Sequence, residues 1–459
     1  TQIASLSTSR IADLTTTQLA GLVDTQVAAL SVPQLAALTT TAVAALSSSG
    51  LEGLSVTQYA ALTDAQAEAL TADQIAALAS TTIAGLSATE LAALTSTQFT
   101  ALTGAQLGAL TTTQIAGFDT TRLGQLSATA VAGLASTQVA ALTTTQLAAL
   151  STTQIAALSA AGASGLTAAQ VTALSDAQVA ALTTTELAGL TATGVAGLST
   201  WDLAALSEDQ FAALSATGVT GLTATQIASL STSRLAELSE TALSGLSATQ
   251  VASLTDRQFG ALTSTMIGSL STAAVAGLTP TQIDLLTATQ IAGLSSTQIG
   301  SISLGGIAEL EGDDIAAMTL EQLTGLVRMQ LRALSSTQLA AFTSTQLAAM
   351  TSTQISSLTS TELNQLSLAQ FAALSSEQVA ALSPMQLDLL DATHMAALSA
   401  VQLSGLTTTT ISALPTSFVE ELSTNQIEAL NATQIDAFTT TQIASMTAEQ
   451  IDAMVTAIS

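Results

Sequence analysis

An unbroken period of eight residues constrains this chain more than any other feature of its sequence. The unit reads S/T-x-x-Q-I/L/V-A-A/G-L, and its register holds from Leu6 to Met454. We number the Ser or Thr as position 1 and the closing Leu as position 8. Leucine occupies 49 of the 57 positions 8, and the eight exceptions are also apolar: Phe118, Ile302, Met318, Phe342, Met350, Phe438, Met446 and Met454. Because no insertion interrupts the pattern, we predict one uninterrupted repeat array over residues 1–459, without a linker.

Each octad carries the signals of a short helix that begins after position 1. Ser or Thr fills 47 of the 57 positions 1 between Ser7 and Val455, as is typical of N-cap residues. The Gln at position 4 completes a capping box, and the apolar residues at position 5 and at position 8 of the preceding octad form a hydrophobic staple. Pro280 and Pro384 fall at position 2, the first helical residue, where proline is tolerated. The pattern therefore predicts one two-turn helix per octad.

The period also predicts how these helices are arranged. Eight residues of continuous α-helix turn through about 800°, so an apolar stripe would drift by about 80° per octad. Isolated two-turn helices are unstable in water, so we expect the helices to break at every octad and to stack into an all-α solenoid or superhelix. A β-solenoid is the alternative, because Thr-rich triplets and β-branched residues also suit strands. The three-residue spacing of positions 5 and 8 favours the helix, since it places both on one face.

A second, weaker period lies in position 4. That position departs from Gln in 22 of the 57 octads between Gln2 and Gln450, and the departures from Arg10 to Asp314 cluster about every 37.5 residues. We interpret this spacing as a superhelical turn of four to five helices. The Gln side chains would then face a shared environment except along one line.

Composition excludes several classes of function. The net charge is −26 and all six basic residues are arginines, so a basic surface for nucleic acid is excluded, because phosphate contacts need Lys and Arg. The absence of cysteine and the single histidine leave no material for a zinc or redox site. Polar triplets interrupt every apolar stretch, so we expect no membrane span.

The sequence offers few residues for chemistry. His394 occupies a position 4, and we interpret it as a polar substitute for Gln. Tyr59 occupies a position 5 and is expected in the core, whereas Trp201 lies at a variable position and is expected at the surface. A catalytic triad needs a positioned base, and none is apparent. We therefore predict no catalytic residue and no cofactor-binding residue, and we expect that the chain is not an enzyme.

One segment is a candidate for metal binding. Glu311, Asp313 and Asp314 replace a cap triplet, and their carboxylates are oxygen ligands of the kind that calcium prefers. Their spacing lacks the pattern of an EF-hand loop. They form a weak calcium candidate, and we expect no other metal and no cofactor.

The units STTQIAAL, TTTQLAAL and SATQVASL resemble the octapeptide-repeat regions of large acidic secreted or cell-surface proteins of Gram-negative bacteria, including adhesin-like proteins. The resemblance covers the whole chain and rests on the repeat itself. It implies an extended extracellular stalk, a filament or a surface layer such as an S-layer. The chain has neither glycine-rich calcium nonapeptides nor a ligand-binding domain, so no functional residue is transferred from the resemblance.

These observations predict a structural protein: an extended extracellular rod that acts as a spacer or assembles into a surface filament or layer. We expect self-association, end to end or lateral, because neither end of the array carries a recognisable polar cap and uncapped solenoid ends expose core residues. The alternative is a repeat binding module or adhesin that recognises a glycan, a peptide or a cell surface. We expect no nucleic-acid partner.

Overall fold

The computed structural model describes residues 2–459. Over that range it contains one 3₁₀-helix, Gln2–Ser5, and 56 α-helices but no strand. The predicted all-α solenoid of short helices is therefore confirmed, and the β-solenoid alternative is wrong for residues 2–459. The helices fall into two compact units, Thr1–Gly245 and Leu246–Ser459. The octad register of the sequence continues through Gly245 and Leu246 without an insertion.

Every α-helix within residues 2–459 begins at position 2 of its octad. The first unit holds α1–α30, in chain order Thr8–Ala12, Thr16–Ala20, Asp24–Ala28, Val32–Ala36, Thr40–Ala44, Ser48–Leu51, Val56–Ala60, Asp64–Glu68, Ala72–Ala77, Ser80–Ala84, Ala88–Ala93, Ser96–Thr100, Gly104–Ala109, Thr112–Ala116, Thr120–Gln125, Ala128–Val131, Ser136–Ala141, Thr144–Ala148, Thr152–Ile155, Ala160–Ala163, Ala168–Thr172, Asp176–Ala181, Thr184–Gly189, Ala192–Ala196, Thr200–Ala205, Glu208–Ala212, Ala216–Val219, Ala224–Ser229, Thr232–Ala236 and Glu240–Ser244.

The second unit holds α31–α56, in chain order Ala248–Ala252, Asp256–Gly260, Ser264–Gly268, Thr272–Ala276, Pro280–Asp284, Ala288–Ile291, Ser296–Ser301, Leu304–Glu309, Gly312–Ala317, Leu320–Leu323, Arg328–Leu331, Ser336–Ala341, Ser344–Ala349, Ser352–Ser357, Ser360–Leu363, Leu368–Ala372, Ser376–Ala380, Pro384–Asp388, Ala392–Ala397, Ala400–Ser404, Thr408–Ser412, Thr416–Glu420, Thr424–Glu428, Ala432–Ile435, Thr440–Ser445 and Ala448–Ala457.

The capping box predicted from the sequence sets where each helix starts. In the octad of α9, the extended N-cap Thr71 accepts a hydrogen bond from the Gln74 backbone N–H through its Oγ1 at 3.3 Å. The Thr71 backbone N–H in turn donates to Gln74 Oε1 at 2.8 Å. At the other end, the Leu78 N–H donates to Ile75 O at 3.2 Å, and the Leu78 backbone is again extended. The helix therefore ends within one octad, as the sequence predicts.

Within each unit, a helix packs against the third helix before it and the third helix after it. In the first unit α9 contacts α6 and α12, and in the second unit α34 contacts α31 and α37. Positions 5 and 8 supply the core between these helices. From Leu30 to Met454 every residue at position 8 is buried except Leu62, and from Ile3 to Ile435 every residue at position 5 is buried except Ala67.

Glycine at position 7 lets some helices approach more closely than any side chain would allow. Position 7 faces the first turn of the helix that lies three octads earlier. A Cβ atom on Gly165 would overlap the Ser136 backbone, and one on Gly325 would overlap the Ser296 backbone. These glycines are needed for the close approach of two helices, since none of the glycines has a positive φ.

Candidate functional site

A recurrent polar feature of the fold is a bridge made by Gln at position 4. In the first unit, Gln154 accepts the Ser151 backbone N–H at 2.8 Å through Oε1. Its Nε2 donates to Leu123 O at 2.9 Å and to Leu126 O at 2.7 Å, on the helix four octads earlier. We call this pair of contacts the glutamine bridge. It recurs in the second unit, where Gln346 Nε2 donates to Ile315 O at 2.8 Å.

The glutamine bridge satisfies backbone groups that short helices cannot satisfy alone. The first N–H groups and the last carbonyl groups of a helix have no partner within it. A buried polar group without a partner costs about 1–3 kcal/mol. One buried Gln side chain serves an N–H of its own helix and carbonyl groups of another helix, so it links octads that lie 28–31 residues apart.

Sequence reasoning identified only half of this bridge. A capping box accepts Glu as well as Gln at its fourth residue, so it explains Oε1 but not Nε2. The missed signal lies in the amide preference itself: Gln fills 35 of the 57 positions 4, whereas Glu fills only three, at Glu90, Glu186 and Glu362. That preference shows that the amide N–H is needed, because a carboxylate has no hydrogen to donate.

Some substitutes at position 4 donate to the same carbonyl groups. Arg122 donates to Ala92 O at 2.5 Å and to Leu94 O at 2.9 Å, and its guanidinium lies 4.9 Å from the Phe99 ring centroid. Thr82 Oγ1 donates to Leu54 O at 2.7 Å. These residues preserve the bridge with different chemistry.

His394 is a further substitute, which confirms its interpretation from the sequence. The ring is buried, with Nε2 2.8 Å from Leu366 O and Nδ1 2.9 Å from Asp391 Oδ1. The backbone N–H of His394 also donates to Asp391 at 2.9 Å. These hydrogen bonds, led by the one from the backbone, lower the pKa of Asp391 below its ordinary value. Two further predictions are confirmed, since Tyr59 is buried and Trp201 is exposed.

Small residues at position 4 replace the bridge by direct packing. A Cβ on Gly162 would lie 3.0 Å from Leu134 O, the carbonyl that a Gln would otherwise reach. The glutamine bridge joins an octad to the fourth octad before it, and helix packing joins it to the third octad before it. Each superhelical turn therefore contains between three and four helices. The predicted turn of four to five helices is therefore wrong. The departures from Gln follow several local solutions, so their spacing of about 37.5 residues does not measure the turn.

Acidic residues at position 4 keep only the accepting half of the bridge. Glu186 is 1% exposed and accepts the backbone N–H and the hydroxyl of Thr183. Burial raises the pKa of the Glu186 carboxyl above its ordinary value, although the Thr183 hydrogen bonds act in the opposite direction. Burial also raises the pKa of Asp314, and the carboxylates of Asp313 and Asp284 add to this effect.

The calcium candidate is used for capping in the structure. Glu311 is the N-cap of α39, and its backbone N–H donates to Asp314 Oδ2 at 3.0 Å. Across residues 2–459, no three His, Cys, Asp or Glu side chains form a group that could hold a metal ion. The structure thus does not gather Glu311, Asp313 and Asp314 into a calcium site.

Within residues 2–459, no helix has the length and apolar character of a membrane span.

Comparison with known families identifies the repeat. Four segments match the ALTTAQ repeat. They are residues 43–80, 139–176, 329–360 and 419–448. The matches confirm that the chain is a repeat protein, and the first two segments begin 96 residues apart. No curated protein matches the chain. The resemblance to Gram-negative surface proteins stays a prediction.

Proposed function

We propose that this chain is a structural, non-enzymatic protein: an extracellular array that acts as a spacer or assembles into a filament or surface layer. The observation that carries the proposal is the glutamine bridge. Because Gln fills 35 of the 57 positions 4, the same kind of hydrogen bond ties many octads to the octads before them. Buried polar networks whose members are all satisfied rigidify a fold, which is the property that a spacer requires.

Self-association is supported by two surfaces that the bridging pattern leaves open. At Gln18 and Gln26, Nε2 makes no hydrogen bond within residues 2–459, although Oε1 of both residues is used for capping. In α56, Ile451, Val455 and Ile458 lie along one face, and each is at least 40% exposed. From Ile3 to Ile435 the equivalents of Ile451 are buried, with Ala67 as the exception, so a further octad or a second copy fits this face. We propose that, when the chain of 459 residues is studied by itself, a second copy takes the place of a further octad.

Sedimentation velocity of the full chain over a concentration series tests this proposal, with electron microscopy of the same samples. We expect the chain to associate as its concentration rises. Ile451→Glu should shift association to higher concentration, because it places a charge on the α56 face. The matched control Met385→Glu changes a side chain that is 72% exposed within the second unit, and it should behave as wild type. Equal association of both variants would contradict the role of α56. A chain that stays monomeric throughout would contradict self-assembly and leave the spacer role.

A repeat binding module is the second candidate, and one observation favours it. Position 3 is a surface position, and four octads present a large apolar side chain there: Trp201, Met329, Met385 and Val401, each at least 56% exposed. Exposed apolar side chains can mark binding surfaces. Binding to a glycan array that is lost when these four residues are changed to Thr, with the secondary structure unchanged, would favour this candidate over the structural one.

The extracellular location is supported by the resemblance of the octads to those of secreted repeat proteins. Surface labelling of intact producing cells with an antibody to the chain tests it. Labelling only after the cells are permeabilised would contradict it.

A further inference from the structure

Within residues 2–459, the one internal part of the array where residues at positions 5 and 8 are not buried contains a cavity. Its volume is about 290 Å³, and it lies between α7 and α8 on one side and α11 on the other. Leu62 and Ala67 line it. Ala67 stands where almost every other octad has a larger aliphatic or aromatic side chain. The cavity therefore has an apolar wall and space for a short chain of carbon atoms.

The polar wall of the cavity lacks a glutamine bridge. A Gln at position 90 would donate to the carbonyl groups of Tyr59, Ala60 and Leu62, by the offsets that Gln154 shows. The residue present is Glu90, whose Oε2 accepts the backbone N–H and the hydroxyl of Ser87 at 2.7 and 2.6 Å. No side-chain amide reaches the three carbonyl groups within residues 2–459. Glu90 thus supplies only acceptor atoms at a position where most octads supply an amide donor.

Tyr59 supplies a second, independent indication of a ligand. The residue is only 4% exposed and lines the cavity, yet its hydroxyl makes no hydrogen bond within the described part of the chain. Burial, with a contribution from the Glu90 carboxylate, raises the pKa of Tyr59 to about 12. The phenol therefore stays neutral at physiological pH and keeps its O–H. Every buried side-chain N or O atom of the described residues has a partner, so this unpartnered hydroxyl is open to the cavity, where its oxygen can accept a hydrogen bond from a donor such as an ammonium group.

The charges at the cavity select the kind of partner. Asp64, Glu68 and Glu90 line it, and no basic residue does. A cation is therefore favoured. A metal ion is disfavoured, because no group of three suitable ligands forms within residues 2–459. An ammonium group can donate three hydrogen bonds to carbonyl and carboxylate oxygens, and the face of an aromatic ring attracts it as well.

We propose that this cavity binds a small organic ammonium ion, with its ammonium group between Glu90 and the unbridged carbonyl groups and its carbon chain against Leu62 and Ala67. The ligand is either a free amine or a lysine side chain of another protein. A second copy of this chain cannot supply the lysine, because the sequence contains none.

Because the chain contains one tyrosine, the proposal can be tested with a single spectroscopic probe at the cavity. The full chain is produced with 3-fluorotyrosine, which gives one ¹⁹F resonance at residue 59, and is titrated with 1,4-diaminobutane. We expect a saturable shift with a Kd on the order of 1 mM, which is about −4 kcal/mol. 1,4-Butanediol, which has the same shape without the charge, should give no saturable shift. Equal shifts with the diol, or no saturation with the diamine, would overturn the proposal.

Two variants and one control locate the binding. Glu90→Gln restores the amide and should weaken binding at least tenfold, and Ala67→Leu should do the same by filling the cavity. Glu362→Gln makes the same change at the same octad position elsewhere and should bind as wild type. Unchanged binding in both Glu90→Gln and Ala67→Leu would overturn the proposed site, and circular dichroism checks that each variant is folded. Titration with N-acetyl-lysinamide distinguishes the sources: binding as tight as that of the diamine supports a lysine side chain, and weaker binding supports a free amine.

Discussion

Two regions of the first unit carry the same pair of exceptions to the octad, but only one of them is open. Ala67 and Ala163 replace the large residue at position 5, and Glu90 and Glu186 replace Gln at position 4; the two members of each pair lie 96 residues apart. Around Ala67 there is a cavity. Ala163 is 0% exposed and Glu186 is 1% exposed, so the second region is closed.

The difference lies in the residues that set how closely two helices approach. In the closed region, position 7 is Gly189, and a Cβ atom there would lie 2.5 Å from Ala160 O. The helix that ends at Gly189 therefore rests on the backbone of α20. In the open region the equivalent residue is Ala93, and α11 packs less closely on α8 than α23 packs on α20; we attribute this difference to the Ala93 methyl group. A small core residue leaves no void when a glycine on the facing helix allows the two helix backbones to come closer and occupy the space.

Gly189→Ala should open the closed region and have the largest effect. The added methyl group would overlap Ala160, so we expect a loss of about 3 kcal/mol, with faster hydrogen exchange confined to residues around 155–194. Urea unfolding and hydrogen exchange measure both effects. The control is Gly260→Ala, because no atom lies within 4 Å of the Cβ position at that glycine; it should be neutral or slightly stabilising. Equal stability of the two variants would show that the close approach does not close the region.

Replacing each of the two core alanines by valine should destabilise the closed region but not the open region. Ala163→Val inserts two methyl groups into closed packing and should cost about 2 kcal/mol. Ala67→Val projects into the cavity and should leave stability unchanged or slightly increased, since it buries apolar surface. Thermal unfolding of both variants tests this contrast. A similar loss in both would mean that the cavity around Ala67 is not available to a side chain.

The closed region should make stability depend on pH through Glu186. Its pKa is raised in the folded state by burial, so the folded chain holds this proton more tightly than the unfolded chain. The free energy of unfolding should therefore fall as the pH rises from the unfolded pKa of a glutamate through the folded pKa, by about 1.4 kcal/mol for each unit between them. Urea unfolding over a pH series should show a smaller fall in Glu186→Gln than in wild type, because Asp314, whose pKa is also raised, is still present in the variant. Parallel curves would contradict the assignment to Glu186.

Glu90→Gln should have the smallest effect on stability, and it should create a glutamine bridge in the open region. The new amide would donate to the Ala60 and Leu62 carbonyl groups as Gln114 does to Ala84 O and Leu86 O, at 3.0 and 2.7 Å. We expect a gain of about 1 kcal/mol, measured by urea unfolding. Glu90→Ala removes the cap without supplying an amide and should lose stability. A gain in both variants would show that the repulsion of Glu90, rather than a missing bridge, limits stability here.

The sequence predicted the local fold well because its signals act within one octad. Caps at position 1, the staple and the buried positions 5 and 8 involve residues at most five apart. The donor half of the glutamine bridge was missed, and the number of helices per superhelical turn was predicted wrongly. Both depend on contacts between residues 28–31 apart, and the pattern within one octad contains no information about that separation. The unbridged carbonyl groups near Tyr59 follow from Glu90 only when this offset is known. The calcium candidate stays a prediction: the sequence shows that Glu311, Asp313 and Asp314 are close along the chain, but not that Asp314 is engaged in capping Glu311.

The bridge has a consequence for how a gene of this kind changes. Each bridge is fixed by a count of octads and not by any particular octad, so inserting or deleting whole octads leaves every remaining Gln opposite an equivalent carbonyl group. An insertion whose length is not a whole number of octads must form a loop outside the array before the bridges that follow it can form. Length is then a trait that recombination between repeats adjusts freely. The ALTTAQ segments that begin at residues 43 and 139 lie 96 residues apart, which is twelve whole octads, so the count that the bridge requires is the same in both.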